Sequence, residues 1–209
     1  MPKKLLTLVL PIILISVAIV WGWQRFNSKS GETAYITSDY ITLSTISDLA
    51  HQSDTVVLGT VTKVDDQHFN TARNTRDPSQ PATGLFITGT IYEIQVERYL
   101  KGSGGSNLRI VQSEDITLPN TASEAPTVYL TEGFTPLEVG IRYIFFLKLA
   151  ESYPDSPFSD LYRGTAEPYR FRLENGMAKA ESPSRLARDL FPMEKENALI
   201  QEVITAIAK

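Results

Sequence analysis

The sequence predicts a mainly β domain with a short amino-terminal helix and carboxy-terminal helices, preceded by one transmembrane helix. Two observations lead to this class. An uncharged and strongly apolar run occupies residues 5–23. Segments rich in β-branched residues then follow one another, separated by glycine-rich turns and without a helical pattern between them. Such an order is typical of an antiparallel barrel or sandwich.

The apolar run at residues 5–23 is long enough to cross a bilayer. As a helix it would extend roughly 29 Å, close to the thickness of the hydrocarbon layer. Trp21 and Trp23 lie at its far end, where indole rings favour the membrane–water interface. The alternative is a cleaved signal peptide, with small residues at 16–18 as the cleavage site. Cleavage there would leave an exposed apolar amino terminus, so the anchor is the preferred interpretation.

The flanks of this run predict the topology. Lys3 and Lys4 precede it, which favours a cytoplasmic tail at residues 1–4. Residues 24–33 are polar and form a short tether, and residues 34–209 form one extracytoplasmic domain. The chain has no cysteine, which is ordinary for an exported bacterial domain. We therefore expect a single-pass protein of the bacterial cell membrane.

The charge of the chain excludes some classes of partner. With 24 acidic and 20 basic side chains, the net charge is −4. A mildly acidic surface does not suit nucleic acid or an anionic lipid face as the main partner.

The first half of the domain contains a short helix and two long strands. The helix begins at Ser44 or Thr45 and ends near Ser53, and Gly59 inside the first strand predicts a bulge. In the second strand Tyr92 and its alternating neighbours Ile94 and Val96 face inward. The two predicted strands are residues 55–64 and 85–100.

The second half continues with shorter strands and ends in helices. The strands are predicted at residues 107–112, 127–130, 142–149, 169–173 and 177–179. Glu174–Gly176 is a strong hairpin signal, and Ser182 before Pro183 predicts the cap of a helix through Leu190. Another helix follows Pro192, with one apolar face formed by Leu199, Ile200, Val203, Ile204 and Ile207.

Three segments carry a resemblance to known proteins: SDLAHQSDTVVLGTVTKV (47–64), IYEIQVERYLKG (91–102) and FTPLEVGIRYIFFLKL (134–149). They resemble a group of uncharacterised exported bacterial proteins with a small OB-like barrel, similar in outline to netrin-like and metalloproteinase-inhibitor modules. The matching residues are Gly59, Lys101, Gly102, Gly140, Phe146 and Leu147. The resemblance implies a fold and no reaction. No cysteine corresponds to the disulfides of the inhibitor modules.

Residues with catalytic chemistry are scarce. Asp65, Asp66 and His68 offer two carboxylates and an imidazole, which is the pattern of a loose cation site or of a solvated strand end. His51, Ser53 and Asp54 are neighbours in a turn, and a triad is assembled in space rather than along the chain. We therefore expect no catalytic, metal or cofactor residue, and no enzyme.

Two loops and one turn are the remaining candidates. The segment at residues 65–84 is long enough to be either a binding loop or disordered, and the acidic segment at residues 113–126 is a second candidate. Lys101 and Gly102 are expected to close a hairpin, with the lysine in water.

These observations favour a membrane-tethered extracytoplasmic binding module of the cell envelope. Its partner would be an envelope protein or a wall polymer. One alternative is a cation-dependent or hydrolytic enzyme that uses Asp65, Asp66 and His68. The other is a structural accessory subunit, whose last helix packs against another envelope protein.

Overall fold

A computed structural model of the chain describes residues 33–36, 41–70, 84, 86–118, 127–150 and 161–208, with backbone alone at 33–36, 65–70 and 114–116. These residues form a mainly β structure, as predicted. The strands are β1 (Thr33–Ile36), β2 (Thr55–Asn70), β3 (Phe86–Lys101), β4 (Asn107–Leu118), β5 (Thr127–Thr131), β6 (Arg142–Leu149), β7 (Leu161–Gly164), β8 (Arg170–Glu174), β9 (Met177–Glu181) and β10 (Glu194–Lys195). The helices are α1 (Ile46–Gln52), α2 (Arg185–Leu190) and α3 (Glu196–Ile207).

Five of the strands pair in a closed ring. β2 is antiparallel to both β3 and β6, and β3 is antiparallel to β4. β7 completes the ring, antiparallel to β6 and parallel to β4. A ring with an odd number of strands cannot alternate direction throughout, so one parallel pair is unavoidable. The prediction of a wholly antiparallel sheet is therefore wrong at β4 and β7.

The other strands extend the sheet away from the ring. β8, β9 and β10 continue outward from β6, and β5 pairs with the far end of β4. β1 lies beside β5 and runs parallel to it. Neither β1 nor β7 is predicted from the sequence, because four-residue strands are too short to show an alternating pattern.

The apolar core lies on both sides of the sheet at β2 and β6. An inner cluster fills the ring with side chains such as Val57, Tyr92 and Phe145. An outer cluster lies between the sheet and the helices and contains the intervening residues, such as Val56 and Phe146. Strands buried on both faces are continuously apolar, which explains the runs TVVL and YIFFL in the sequence.

The last helix packs on the outer cluster, along a face slightly different from the one predicted. Leu199 and Val203 are completely buried, as expected. Ala206 is also buried, whereas Ile204 keeps 39% of its surface exposed. The prediction for Ile204 is wrong because the buried stripe follows positions 199, 203 and 206, the spacing of an α-helix face.

Two predictions, a bulge at Gly59 and a tight hairpin turn at Glu174–Gly176, are confirmed by the backbone. At Gly59 the register of β2 against β3 shifts, and a Cβ atom there would lie 2.7 Å from the carbonyl oxygen of Gln95. Between β8 and β9, Asn175 and Gly176 have φ angles of 53° and 73°. Two successive positive φ angles define the hairpin turn that an Asn-Gly pair favours.

The start of α2 differs from the prediction. The residue that caps this helix is Ser184, whose side chain accepts a hydrogen bond from the backbone N–H of Ala187. Ser182 lies before the helix, and its hydroxyl accepts from the N–H of Ser184 at 3.0 Å. The predicted cap is therefore displaced by two residues, because Pro183 lies outside the helix rather than in its first turn.

The strand bounds also differ, and the anchor lies outside the described residues. β2 continues to Asn70 and β4 to Leu118, so each strand extends into a segment that the sequence assigns to a loop. None of the helices in the described ranges is long and apolar enough to cross a membrane. Residues 5–23, on which the predicted anchor falls, are outside those ranges.

Candidate functional site

The acidic residues that the sequence singles out belong to a strand. Asp65, Asp66 and His68 all lie within β2, and their side chains are outside the described part of the structure. Where side chains are described, no group of three or more His, Cys, Asp or Glu residues could hold a metal ion. The cation-site hypothesis therefore stays a prediction. The two candidate loops are residues 65–84 and 113–126. Most of each loop, at residues 71–83 and 119–126, also lies outside the described ranges.

His51, Ser53 and Asp54 have separate partners in the structure. Nδ1 of His51 lies 3.3 Å from the hydroxyl of Ser47, one turn earlier in α1. The hydroxyl of Ser53 donates to the carbonyl oxygen of Leu49 at 2.7 Å, and a carboxylate oxygen of Asp54 accepts from the N–H of Leu149. The contacts of Ser53 and Asp54 terminate α1 and hold the end of β6, and none of these hydrogen bonds joins two of the three residues.

A cavity opens where β4 and β7 separate beyond their short parallel pairing. Its volume is about 230 Å³. The walls come from β4, from the segment after β5, from β7 and the turn that follows it, and from the segment before α2. The lining residues are Val111, Gln112, Ser113, Phe134, Arg163, Gly164, Ala166, Glu167, Tyr169 and Pro183.

Gln112 lines this cavity and carries a buried oxygen without a partner in the described residues. The residue is only 9% exposed, and its Nε2 donates to the carbonyl oxygen of Thr135 at 3.0 Å. A carbonyl oxygen can only accept, so the orientation of the amide is fixed by this contact. The other end of the amide, Oε1, is buried and has no hydrogen-bond partner in the described part of the chain.

Glu167 provides a second unpaired oxygen. Its backbone is held by the segment before α1, since its N–H donates to the carbonyl of Ile41 and its carbonyl accepts from the N–H of Leu43. The side chain is 8% exposed, and Oε2 accepts no hydrogen bond from the residues described. Burial raises the pKa of the Glu167 carboxyl, against the opposing effects of the Ser182 hydroxyl and the Arg170 charge. Burial thus favours the neutral carboxyl.

The cavity rests on a buried network around Arg170, a side chain with 1% exposure. Its Nε donates to a carboxylate oxygen of Glu181 at 3.1 Å, and its Nη1 donates to the hydroxyl of Tyr169 at 2.6 Å. Its Nη2 donates to the carbonyl of Thr135, the same oxygen that binds Gln112. Burial raises the pKa of Tyr169, so this phenol stays neutral. The network fixes Thr135 and, through it, the amide of Gln112.

Buried polar atoms without a partner are concentrated in the residues of this cavity. Of the three buried side-chain atoms without a partner in the described residues, two belong to residues that line this one cavity. The lining residues that the structure describes include no histidine, lysine or cysteine.

Sequence reasoning missed both Gln112 and Glu167. A signal for Gln112 exists in the strand pattern, because it follows Leu108 and Ile110 at the inward-facing positions of β4. A polar residue at a core position is unusual and marks either a buried network or a site. Glu167 has no comparable signal, since it lies in the short segment between β7 and β8 and is bridged there to Thr42, which is distant in the chain.

The sequence predicts that the Lys101 side chain lies in water, and this prediction is wrong. Its Nζ donates to the carbonyl oxygens of Ala50 at 2.8 Å, His51 at 3.2 Å and Ser53 at 2.7 Å. These carbonyls end α1, where an ammonium group also favours the negative end of the helix dipole. Gly102 has φ of 78°, a left-handed conformation that favours glycine. The lysine is thus a structural cap for α1.

In comparisons with known proteins, no family model and no curated protein matches this chain.

Proposed function

We propose that this protein is a membrane-tethered binding module of the bacterial cell envelope, with the cavity between β4 and β7 as its binding site. The observation that carries the proposal is that Gln112 and Glu167, each with a buried oxygen lacking a partner in the described residues, both line one cavity. Buried polar atoms in folded proteins nearly always have partners, so two exceptions at one place indicate a ligand. An established network beneath them holds the site in shape, as a binding site requires.

An OB-like barrel is the finer fold proposal. The order β2-β3-β4-β7-β6, closed on itself with one parallel pair, agrees with a five-stranded Greek-key barrel. The resemblance to exported bacterial proteins, and in outline to netrin-like and metalloproteinase-inhibitor modules, would follow from this fold. Binding proteins of unrelated function share it, so the ligand has to be argued from the cavity.

The location proposal rests on the sequence. The apolar run at residues 5–23 has the length of a bilayer, and a short tether follows it at residues 24–33. Together they would hold the domain close to the extracytoplasmic surface of the cell membrane. A domain held there meets envelope proteins and wall polymers. These are the partner classes that we propose.

The binding function can be tested by site-specific photocrosslinking in intact cells with the full chain. A benzophenone amino acid replaces Arg163, an exposed residue that lines the cavity, and in a control it replaces Lys179, an exposed residue of β9. We expect an adduct at position 163 alone. Ala166→Phe, which enlarges a residue lining the cavity, should abolish that adduct while the protein level stays the same. Equal adducts at both positions, or none at position 163, would contradict the proposal.

A further inference from the structure

We propose that one end of the sheet rests in the headgroup layer of the membrane. This distal end is formed by the residues at which β3 and β5 begin, β4 finishes and β1 enters: Thr33, Phe86, Thr117, Leu118, Thr127 and Val128. The inference goes beyond the cavity and adds a second contact, with a lipid surface. It rests on the membrane anchor of the function proposed above.

The register of the strands determines where the tether joins the sheet. Thr33 of β1 is the partner of Val128 on β5. Val128 is in turn the partner of Thr117 on β4, and Thr117 is the partner of Phe86 on β3. Neighbouring strands lie about 4.8 Å apart, so this row of four residues is roughly 14 Å wide. Because β1 is parallel to β5 and β5 runs away from this end, the chain before Thr33 enters the sheet at the distal end.

The tether is too short to let the distal end move far from the membrane. Nine residues, 24–32, separate the apolar run from Thr33. Fully extended they span at most about 30 Å, and as a flexible coil they span roughly 17 Å. In contrast, β2 extends from Asn70, near the distal end, to Thr55, up to about 50 Å away. The distal end is therefore the part of the sheet that the tether holds closest to the bilayer.

The side chains at the distal end suit a lipid interface. Phe86 is 38% exposed and Leu118 is 36% exposed. Single exposed apolar residues are ordinary on a protein surface, so the informative feature is their position beside the entry of the tether. None of the six residues of the distal end carries a charge, and neither does any residue of β1. Contact with lipid would therefore remove no charged side chain of these residues from water, which would be costly.

The backbone limits the depth of the contact. The end of an open sheet has N–H and C=O groups that need water as their partner, and such groups are not tolerated in the hydrocarbon layer. Apolar side chains of proteins that lie on a membrane reach about 5–10 Å into the boundary between headgroups and acyl chains. We therefore expect Phe86 and Leu118 to lie at that depth, with the rest of the sheet in water.

The test is quenching of a fluorescent label by lipids that carry a nitroxide. The chain has no cysteine, so Phe86→Cys and Leu118→Cys each place a nitrobenzoxadiazole label at one position of the full chain. The matched control is Leu149→Cys. Leu149 is 52% exposed and lies two residues beyond the partner of Thr55, at the opposite end of β2. Each protein is reconstituted in phosphatidylcholine vesicles that contain a headgroup-labelled nitroxide lipid.

The label should be quenched at the distal end alone. We expect quenching at positions 86 and 118 to exceed that at position 149 at least about twofold, because the nitroxide and an interfacial label lie at the same depth. A nitroxide deep in the acyl chains should quench the labels at positions 86 and 118 less than the headgroup nitroxide does. Equal quenching at the three positions, or stronger quenching by the deep nitroxide, would overturn the proposal.

A charge introduced at the distal end provides an independent test. Leu118→Asp, added to the protein labelled at position 86, should reduce the quenching there by roughly half or more, because a carboxylate resists removal from water. Leu149→Asp in the same labelled protein should leave the quenching unchanged. Circular dichroism shows whether each variant is folded, and if Leu118→Asp is not, the comparison of positions 86, 118 and 149 decides alone. The same loss in both folded variants would overturn the proposal.

The failure of this inference differs from the failure of the proposed function. The only tryptophans, Trp21 and Trp23, lie in the predicted anchor and report its insertion in the same samples. If nitroxide lipids quench the tryptophans but not the labels at positions 86 and 118, the anchor stands and this inference alone fails. If the tryptophans are not quenched either, the membrane location fails too. A label at position 86 that responds to protein concentration and not to nitroxide lipids would indicate a second copy and overturn the proposal.

Discussion

Arg170 and Glu167 are three residues apart in the chain, both buried and both ionisable, yet their surroundings differ. Each donor nitrogen of the Arg170 guanidinium has a partner: Glu181, the hydroxyl of Tyr169 or the carbonyl of Thr135. In Glu167 one carboxyl oxygen has no hydrogen-bond partner in the described residues. Burial raises the pKa of this carboxyl and so favours its neutral form. Both residues are buried and ionisable, so the burial of an ionisable residue does not by itself identify a functional site.

The difference lies in unused hydrogen-bonding capacity. A fully paired network stabilises and orients its surroundings, and removing one member leaves the others unpaired. An unpaired buried atom instead lowers stability, because its lost contacts with water are not replaced. The comparison therefore predicts opposite effects of substitution at the two residues, which unfolding experiments can measure.

The largest effect is expected from Arg170→Leu. It would leave Glu181 and the carbonyl of Thr135 without their buried cation, which typically costs about 3–5 kcal/mol of unfolding free energy. Urea unfolding followed by far-ultraviolet circular dichroism measures the loss. Arg185→Leu is the control, because that side chain is 87% exposed and pairs only with Asp189 among the described contacts. It should change the stability by no more than about 0.5 kcal/mol. Equal losses in both variants would show that the Arg170 network is not structural.

A smaller loss is expected from Lys101→Met. The substitution keeps the apolar stem and removes the donor from three carbonyls at the end of α1. We expect about 1–3 kcal/mol of destabilisation, the cost of unpaired buried polar groups. Lys179→Met on the exposed side of β9 is the matched control. The same urea experiment applies, and a loss no greater than in the control would contradict the capping role.

Glu167→Gln should produce a modest gain that depends on pH. Because burial raises the folded-state pKa of this carboxyl, its proton is held more tightly in the folded protein than in the unfolded one. That contribution to stability is complete below the unfolded pKa and is lost as pH rises through the folded pKa. The variant, which does not titrate, should match the wild type in acid and exceed its stability above neutral pH. Thermal unfolding between pH 4 and pH 8 measures the trend, and a wild type that gains relative stability with rising pH would contradict it.

The smallest effect, with the opposite pH trend, is expected from Glu97→Gln. The hydrogen bond from Arg142 lowers the pKa of the Glu97 carboxyl, although burial opposes this. Its stabilisation is therefore present above the unfolded pKa and is lost as pH falls through the folded pKa. The two side chains are 36% and 40% exposed, so solvent screening limits the loss to below about 1 kcal/mol at neutral pH. Thermal unfolding at pH 7 and pH 3 checks it, and an undiminished difference at pH 3 would contradict the assignment.

Most of the fold could be predicted from local patterns. Runs of β-branched residues predict β2 and β3. The Asn175-Gly176 pair predicts the turn between β8 and β9, and the spacing of Leu199 and Val203 predicts α3. Such features depend on residues close together in the chain. β7 could not be predicted, because its four residues are a strand only through β4 and β6 on either side.

The candidate site was beyond sequence reasoning for a similar reason. Gln112 and Glu167 are far apart in the chain, and the cavity exists only because β7 pairs briefly with β4 and then departs from it. The sequence predicts a solvated Lys101, because a lysine before a glycine turn usually lies in water. Its partners in α1 lie about fifty residues earlier, so only the folded β2–β3 pair brings them within reach.

The ammonium cap on α1 has a consequence for the order of folding. A helix of seven residues is far below the length of about 12–15 at which isolated helices become even marginally stable. Its last carbonyls receive their donor from the final residue of β3, which arrives only when the chain has turned back on β2. We therefore expect α1 to form after the hairpin, late in folding. Substitutions in α1 would then accelerate unfolding and leave the folding rate almost unchanged.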